Sequence, residues 1–229
     1  MSKTCPGDQQ RKLIILSGPS GVGKSALKNK VIELTQADPG LPQFSMLPLL
    51  YSRRPRKNET DGNDFLFVTA EEIARYDSKE VFRRQLYRKY WQAVRLKDIE
   101  ATFTEDQIRI LELPRLLALD VMNTYVKIRS VLLAPISIPT NWRQVDLQET
   151  WKQLEWRQRE RAETNGDVLD DAEVRLRIEE GIELLRAAHK YERVFVIPMA
   201  PRGKEREEIV TRVAREFIDF AVKDIAKNY

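Results

Sequence analysis

The feature that most constrains the fold is a glycine-spaced segment, Gly18-Pro19-Ser20-Gly21-Val22-Gly23-Lys24-Ser25, set directly after the apolar run Leu13-Ile14-Ile15-Leu16. A short continuous apolar run is the pattern of a strand buried on both faces. After the glycines, Ala26 to Gln36 places Leu27, Val31, Ile32 and Leu34 at helical spacing, and Asp38-Pro39-Gly40 stops the helix. Strand, glycine turn and helix in this order match G-x-x-x-x-G-K-[ST]. Glycines let backbone N–H groups turn inward around a phosphate, and the helix N-terminus adds partial positive charge. The expected ligand is a nucleoside triphosphate held by Gly18, Ser20, Gly21, Val22, Gly23, Lys24, Ser25 and Ala26. Lys24 is expected at the β- and γ-phosphates, and the Ser25 hydroxyl on Mg2+.

Three more runs read as buried strands: Ile108-Arg109-Ile110-Leu111-Glu112-Leu113, Val131-Leu132-Leu133-Ala134 and Val194-Phe195-Val196-Ile197. Helical patterns separate them. A last amphipathic helix is expected from Lys204 to Ala226, with Ile209, Val210, Val213, Phe217, Phe220, Ala221 and Ile225 on one side. Strands alternating with helices predict an α/β fold, three layers around a central, mostly parallel sheet. At 229 residues the chain suits one domain with an insertion better than two separate domains.

Composition narrows the chemistry. Cys5 is the only cysteine and His189 the only histidine, which excludes an intrachain disulfide, a cysteine-based metal cluster and a two-histidine metal site. His189 sits near a helix end before Tyr191, where a terminal charge is a simpler role than catalysis. The net charge of +4 permits an anionic ligand without demanding nucleic acid. No apolar run is long enough to span a bilayer, and the first residues lack a signal-type apolar stretch, so a cytoplasmic protein is expected.

Two stretches depart from the alternation. The first, Leu47 to about Glu105, opens with Tyr51-Ser52-Arg53-Arg54-Pro55-Arg56-Lys57, three arginines and a lysine in seven residues. Guanidinium groups grip phosphate bidentately, which suits the phosphate of an acceptor. Further on, Phe82 to Arg95 interleaves aromatic with basic residues. Phe82, Leu86, Tyr90, Ala93, Val94 and Lys97 at helical spacing predict an amphipathic helix, and a surface for single-stranded nucleic acid is the sharper alternative. The second stretch, Trp151 to Asp171, is very polar, and Arg157, Arg159, Arg161, Arg175 and Arg177 surround Thr164-Asn165-Gly166-Asp167.

Together the two motifs resemble the guanylate kinases. Their acceptor segment reads T-T-R-x-P-R-x-G-E-x-x-G-x-D-Y-x-F-V, and Arg53, Pro55, Arg56, Glu59, Gly62, Asp64, Phe67 and Val68 fall on matching places. The glycine segment resembles that family's G-P-S-G-x-G-K form. The resemblance implies ATP and Mg2+ at the glycine segment, with Arg53 and Arg56 on the acceptor phosphate and Glu59 close by. Glu112 resembles an acidic residue at the end of a family strand and would orient a metal-bound water. Leu154-Glu155-Trp156-Arg157 and Val174-Arg175-Leu176 resemble the motifs that open and close the family's lid. They select Arg157 and Arg175, beside Lys24, as catalytic residues on the migrating phosphoryl group. The implied plan is one domain over 1–229: a core of 10–46, 106–150 and 172–229, an acceptor-binding insertion 47–105 and a lid 151–171.

The departures fall on the acceptor side. Phe65 stands where the family has Tyr, and Leu49 where it has Ser. No Y-G-[ST] segment follows, and no clear F-L-E lies between Phe82 and Ala101. The reading is an ATP-dependent phosphotransferase acting on a small nucleotide, GMP or a related phosphorylated acceptor, with GMP a poor one. If the expected helix borders the acceptor pocket, Tyr87 or Tyr90 would stack on the base. The alternative is a non-catalytic interaction module of the same fold, which binds nucleotide and a protein partner.

Overall fold

The computed structural model describes residues 12–56, 59–86, 89–103, 107–125, 128–165, 170–198 and 203–223. The chain is α/β with a mostly parallel central sheet and divides into two compact units. The first comprises 1–16 and 35–130, the second 17–34 and 131–229. The stretch 47–105 lies within the first unit and 151–171 within the second.

In the first unit, β1 (Leu13–Ser17) is buried throughout, as its unbroken apolar sequence requires. It runs parallel to β7 (Ile108–Glu112), with Leu13 opposite Arg109 and Leu16 opposite Glu112. On the other side of β7 lies β2 (Phe44–Met46), also parallel. A second sheet has the order β4-β3-β6-β5, formed by β3 (Leu49–Tyr51), β4 (Phe65–Phe67), β5 (Val81–Leu86) and β6 (Tyr90–Arg95). Strands β3 and β4 are parallel; β3–β6 and β5–β6 are antiparallel. One face of this sheet packs Leu50, Val81 and Ala93 against Ile73 of α2 (Ala70–Arg75). A capping box of Thr69 and Glu72 starts α2, and Arg83 ends it by donating to the Ile73 and Tyr76 carbonyls at 3.2 and 3.0 Å. Helices α3 (Leu96–Ala101) and α4 (Arg115–Thr124) complete the unit.

The segment expected as one amphipathic helix, Phe82 to Arg95, is instead the β5–β6 hairpin, closed by the Lys89 N–H on the Leu86 carbonyl at 2.8 Å. The reason is arithmetic. Phe82, Leu86, Tyr90 and Val94 recur every four residues, which fits a helix face and equally a strand face of period two. Aromatic and β-branched residues then favour the pleated surface. Tyr90 lies at the start of β6, and Tyr87 lies outside the described residues.

In the second unit, β8 (Arg129–Ala134) and β9 (Arg193–Val196) pair in parallel from Val131 opposite Arg193 to Ala134 opposite Val196. Helix α1 (Lys24–Ala37) begins in this unit. The polar stretch after Trp151 continues a long helix, α5 (Gln144–Asn165), followed by α6 (Asp171–Arg186). Leu154, Val174, Ile178 and Ile182 form the apolar seam of this helix pair. The last helix, α7 (Lys204–Val222), buries Val210, Val213, Ala214, Phe217, Ile218 and Ala221, close to the expected face; Ile225 lies outside the described residues. His189 is exposed in a 3-10 turn at the end of α6. Among the described residues, no helix is long and apolar enough to cross a membrane.

Candidate active site

The glycine segment lies in the second unit and forms a tight loop leading into α1. Gly21 and Gly23 adopt φ of +85° and +109°, left-handed values that favour glycine. Gly18 serves a different need: a Cβ there would sit 2.9 Å from Val22 Cγ1 and 3.0 Å from the Leu133 carbonyl oxygen. Val22 is fully buried and donates its N–H to the Pro19 carbonyl at 3.2 Å, closing a turn. Ser25 and Ala26 are exposed in the first turn of α1, where N–H groups lack intrahelical partners.

Each carbonyl from Gly18 to Gly21 accepts a hydrogen bond from a side chain. Lys24 Nζ donates to the Gly18 and Pro19 carbonyls at 2.7 and 3.0 Å. Gln158 Nε2 donates to the Ser20 carbonyl at 2.5 Å, and the Ser20 hydroxyl donates to Gln158 Oε1 at 3.3 Å. Arg157 Nη1 donates to the Gly21 carbonyl at 3.3 Å, while its Nη2 reaches the Pro198 carbonyl at 3.2 Å. Arg157 is only 1% exposed. Burial, and then repulsion from Arg206, push its guanidinium down to about 10 against the pull of Glu160.

The structure thus brings Arg157 to the loop as a buried, hydrogen-bonded group. Arg175 is placed differently: its side chain is 73% exposed on α6 and pairs with Glu179 at 2.9 Å. The arginine of α6 that turns inward is Arg177, which donates to Gln158 Oε1 at 3.5 Å and pairs with Glu173. Arg159 pairs with Glu155 and Asp171 in the open. Gln158, which bonds the loop, and Arg177, which bonds Gln158, are the residues that sequence reasoning missed. Val174 and Ile178 are buried on α6, and Arg177 falls on their side of the helix, three residues after one and one before the other. That helical register was a usable signal. Gly166 and Asp167 lie outside the described residues.

The arginine-rich segment lies in the first unit. Arg53 forms a two-pronged ion pair with Glu59, Nη1 to Oε2 at 2.5 Å and Nη2 to Oε1 at 2.6 Å. Three rings surround its guanidinium: Tyr51 at 4.7 Å, and Phe65 and Phe67 each at 5.3 Å. Burial opposes the charge of Arg53, but the hydrogen bonds and field of Glu59 outweigh it and raise its proton affinity. Burial likewise opposes the Glu59 charge, and Arg53 and the Arg56 N–H reverse the balance, holding the carboxyl below its ordinary range. Arg56 donates its backbone N–H to Glu59 Oε2 at 2.9 Å, and its guanidinium lies 3.5 Å from Oε1. Arg53, Arg56, Glu59 and Phe65 are therefore one cluster, with Glu59 near the two arginines as the resemblance implied.

Leu49 is buried. Tyr90 meets the Tyr51 ring edge-on at 6.2 Å. Arg84 of β5 forms a two-pronged pair with Asp120 of α4, both bonds 2.9 Å. Glu112 is the last residue of β7, partly exposed and opposite Leu16, two residues before Gly18 in the chain. Among the described residues, no cluster of three or more His, Cys, Asp or Glu side chains is set to hold a metal. The potential ligand for a metal ion at the loop is the exposed Ser25 hydroxyl.

Comparison with known proteins agrees with this geometry. The family profile described as Guanylate kinase matches residues 10–176. The guanylate kinase of Lactobacillus delbrueckii subsp. bulgaricus is 40% identical over 66 residues, 27% of this chain and 28% of that protein. The guanylate kinase of Synechocystis sp. is 27% identical over 128 residues, 56% of this chain and 64% of that protein. Protein PALS2 of Mus musculus is 39% identical over 64 residues, 28% of this chain and 11% of that protein. Each match spans less than two thirds of the relative's own length. A solved structure, guanylate kinase from Anaplasma phagocytophilum, shares the fold at a TM-score of 0.54 and 18% identity, covering 92% of this chain and 86% of that one. With loop, arginine cluster and profile in accord, the chain belongs to the guanylate kinase family.

Proposed function

We propose that the protein is an ATP-dependent phosphotransferase that moves the γ-phosphoryl group of ATP to a nucleoside monophosphate or a related small phosphorylated acceptor. The observation that carries this reading is the glycine loop, whose four successive carbonyls bond to side chains while Lys24 stands at its centre. A cradle of glycines with left-handed φ, a lysine and a helix N-terminus fits a polyphosphate. Gly18, Ser20, Gly21, Val22, Gly23, Lys24, Ser25 and Ala26 would hold ATP, and Ser25 would hold Mg2+, which supplies charge neutralisation on the phosphate oxygens.

Lys24 is mounted to draw the migrating group's negative charge toward the loop. Arg157 braces the loop at Gly21 and adds positive charge there. Arg53 and Arg56 would seat the acceptor phosphate, with Phe65 beside the guanidinium. Glu112 would orient a water molecule at the strand ends. Arg177, turned toward the loop through Gln158, is a better candidate than Arg175 for support from α6. These residues act by positioning and charge, without a covalent intermediate. The plan of a single domain, with insertion 47–105 and lid 151–171, and a cytoplasmic setting accompany this reading.

One observation favours a second reading. Arg53 is 8% exposed, and both its terminal nitrogens already bond Glu59. An interaction module has no need of a free acceptor arginine. A panel of nucleoside monophosphates with ATP and Mg2+, followed by ADP release, decides between them. Turnover with any member supports the enzyme. ATP binding without turnover on any acceptor supports the module.

A further inference from the structure

Gln158 enters the mechanism above only as the link between Arg177 and the loop, yet it is 1% exposed and every polar atom of its amide is engaged. We propose that Gln158 is a positioning residue that aims the Gly21 N–H at the bound triphosphate. The inference rests on the reading that the loop holds ATP.

The argument starts from peptide geometry. In a trans peptide the carbonyl of one residue and the N–H of the next point in opposite directions. Gln158 Nε2 holds the Ser20 carbonyl at 2.5 Å and so turns the Gly21 N–H away from α5. Gly21 tolerates the twist because its φ of +85° is open to glycine. One residue on, the pattern repeats: Arg157 holds the Gly21 carbonyl, and the Val22 N–H points away from it to Pro19.

The amide itself has to be held the right way round. Gln158 Oε1 accepts from both the Ser20 hydroxyl and Arg177 Nη1, so oxygen faces those donors and nitrogen faces the Ser20 carbonyl. Arg177 is fixed in turn by Glu173. A chain of four side chains, from Glu173 through Arg177 and Gln158 to Ser20, thus links α6 to one peptide plane of the loop. Such pre-set N–H groups bind anions without reorganising on arrival.

Two variants of the full-length chain test this. Gln158→Glu keeps the size of the side chain and strengthens the pairing with Arg177, but it removes the donor to the Ser20 carbonyl. Gln158→Met keeps the length and removes every polar contact. Mg-ATP affinity, measured by titration calorimetry, should fall about tenfold or more in both, the value of one buried hydrogen bond to a charged ligand site. The KM for ATP should rise while the KM for the acceptor stays put, a split that general loosening would not produce. Wild-type affinity in either folded variant overturns the proposal. If neither variant folds, the Gly21 amide resonance of the wild type serves instead: it should shift downfield on addition of Mg-ATP, and no shift overturns the proposal. A wild-type chain that fails to bind Mg-ATP overturns the phosphotransferase reading itself, and this role with it.

Discussion

At the glycine loop, Lys24 bonds the Gly18 and Pro19 carbonyls, two neutral dipoles. At the acceptor segment, Arg53 meets the full charge of Glu59 and is walled by Tyr51, Phe65 and Phe67. The two cations are held in different ways. Under the proposed function a phosphate at the loop would compete with dipoles already used to shape the backbone, and it would bring a stronger attraction than they offer. A phosphate at Arg53 would have to share or displace a two-pronged carboxylate in partly buried surroundings. On the proposed reading the loop would meet its ligand with only dipolar contacts to give up, whereas the Arg53–Glu59 pair would have to open and so add to the binding cost.

The largest test of that contrast is Lys24→Ala. Turnover should fall on the order of a hundredfold or more, as when one transition-state donor is lost, while the unfolding midpoint barely moves. Equal ATP-dependent thermal stabilisation in wild type and variant would place the lysine outside the binding site.

Glu59→Gln should do the reverse, acting first on stability. It leaves the Arg53 charge buried without its counter-ion, at a cost of about 2–3 kcal/mol in denaturant unfolding at neutral pH. Because the Glu59 carboxyl is held below its ordinary range in the folded protein, its stabilisation is complete above the unfolded value of about 4.3 and is lost as pH falls through the folded value. The gap between wild type and variant should therefore shrink with acidification. A gap that is constant with pH would mean the pair is not the source.

A smaller effect is expected from Phe65→Tyr. A hydroxyl returned beside Arg53 should lower the KM for GMP about threefold to tenfold if the acceptor phosphate seats there. An unchanged KM across the monophosphates would separate the aromatic wall from the acceptor. Smallest of all is Arg175→Ala, which removes an exposed pair and should change stability by less than about 0.5 kcal/mol and turnover less than twofold. A large loss of turnover there, with Arg177→Met harmless, would restore the role first read for Arg175.

Much of the core was legible because unbroken apolar runs have few alternatives: Leu13–Leu16, Ile108–Leu113, Val131–Ala134 and Val194–Ile197 all give strands near their expected places. The hairpin was not legible, since residues four apart satisfy both periods, and only its pairing with β3 decides between them. In the site, Arg53, Arg56 and Glu59 were readable from the resemblance of their segment to the family motif, but the two-pronged closure of Arg53 on Glu59 was not. The inward turn of Arg177 was legible only from the helical register it shares with Val174 and Ile178; the motif match instead selects Arg175, two residues away and about 200° around the helix.

The β5–β6 hairpin places β5 outermost in its sheet, with a six-residue edge. The outer strand of a sheet carries backbone groups without a neighbouring strand, a place where other strands can add unless side chains or helices guard it. Two successive residues of β5, Arg83 and Arg84, carry charge to opposite faces, one tied to the end of α2 and the other to Asp120. Each arginine thus fastens the edge strand to a helix of its own unit, one on either face of the sheet.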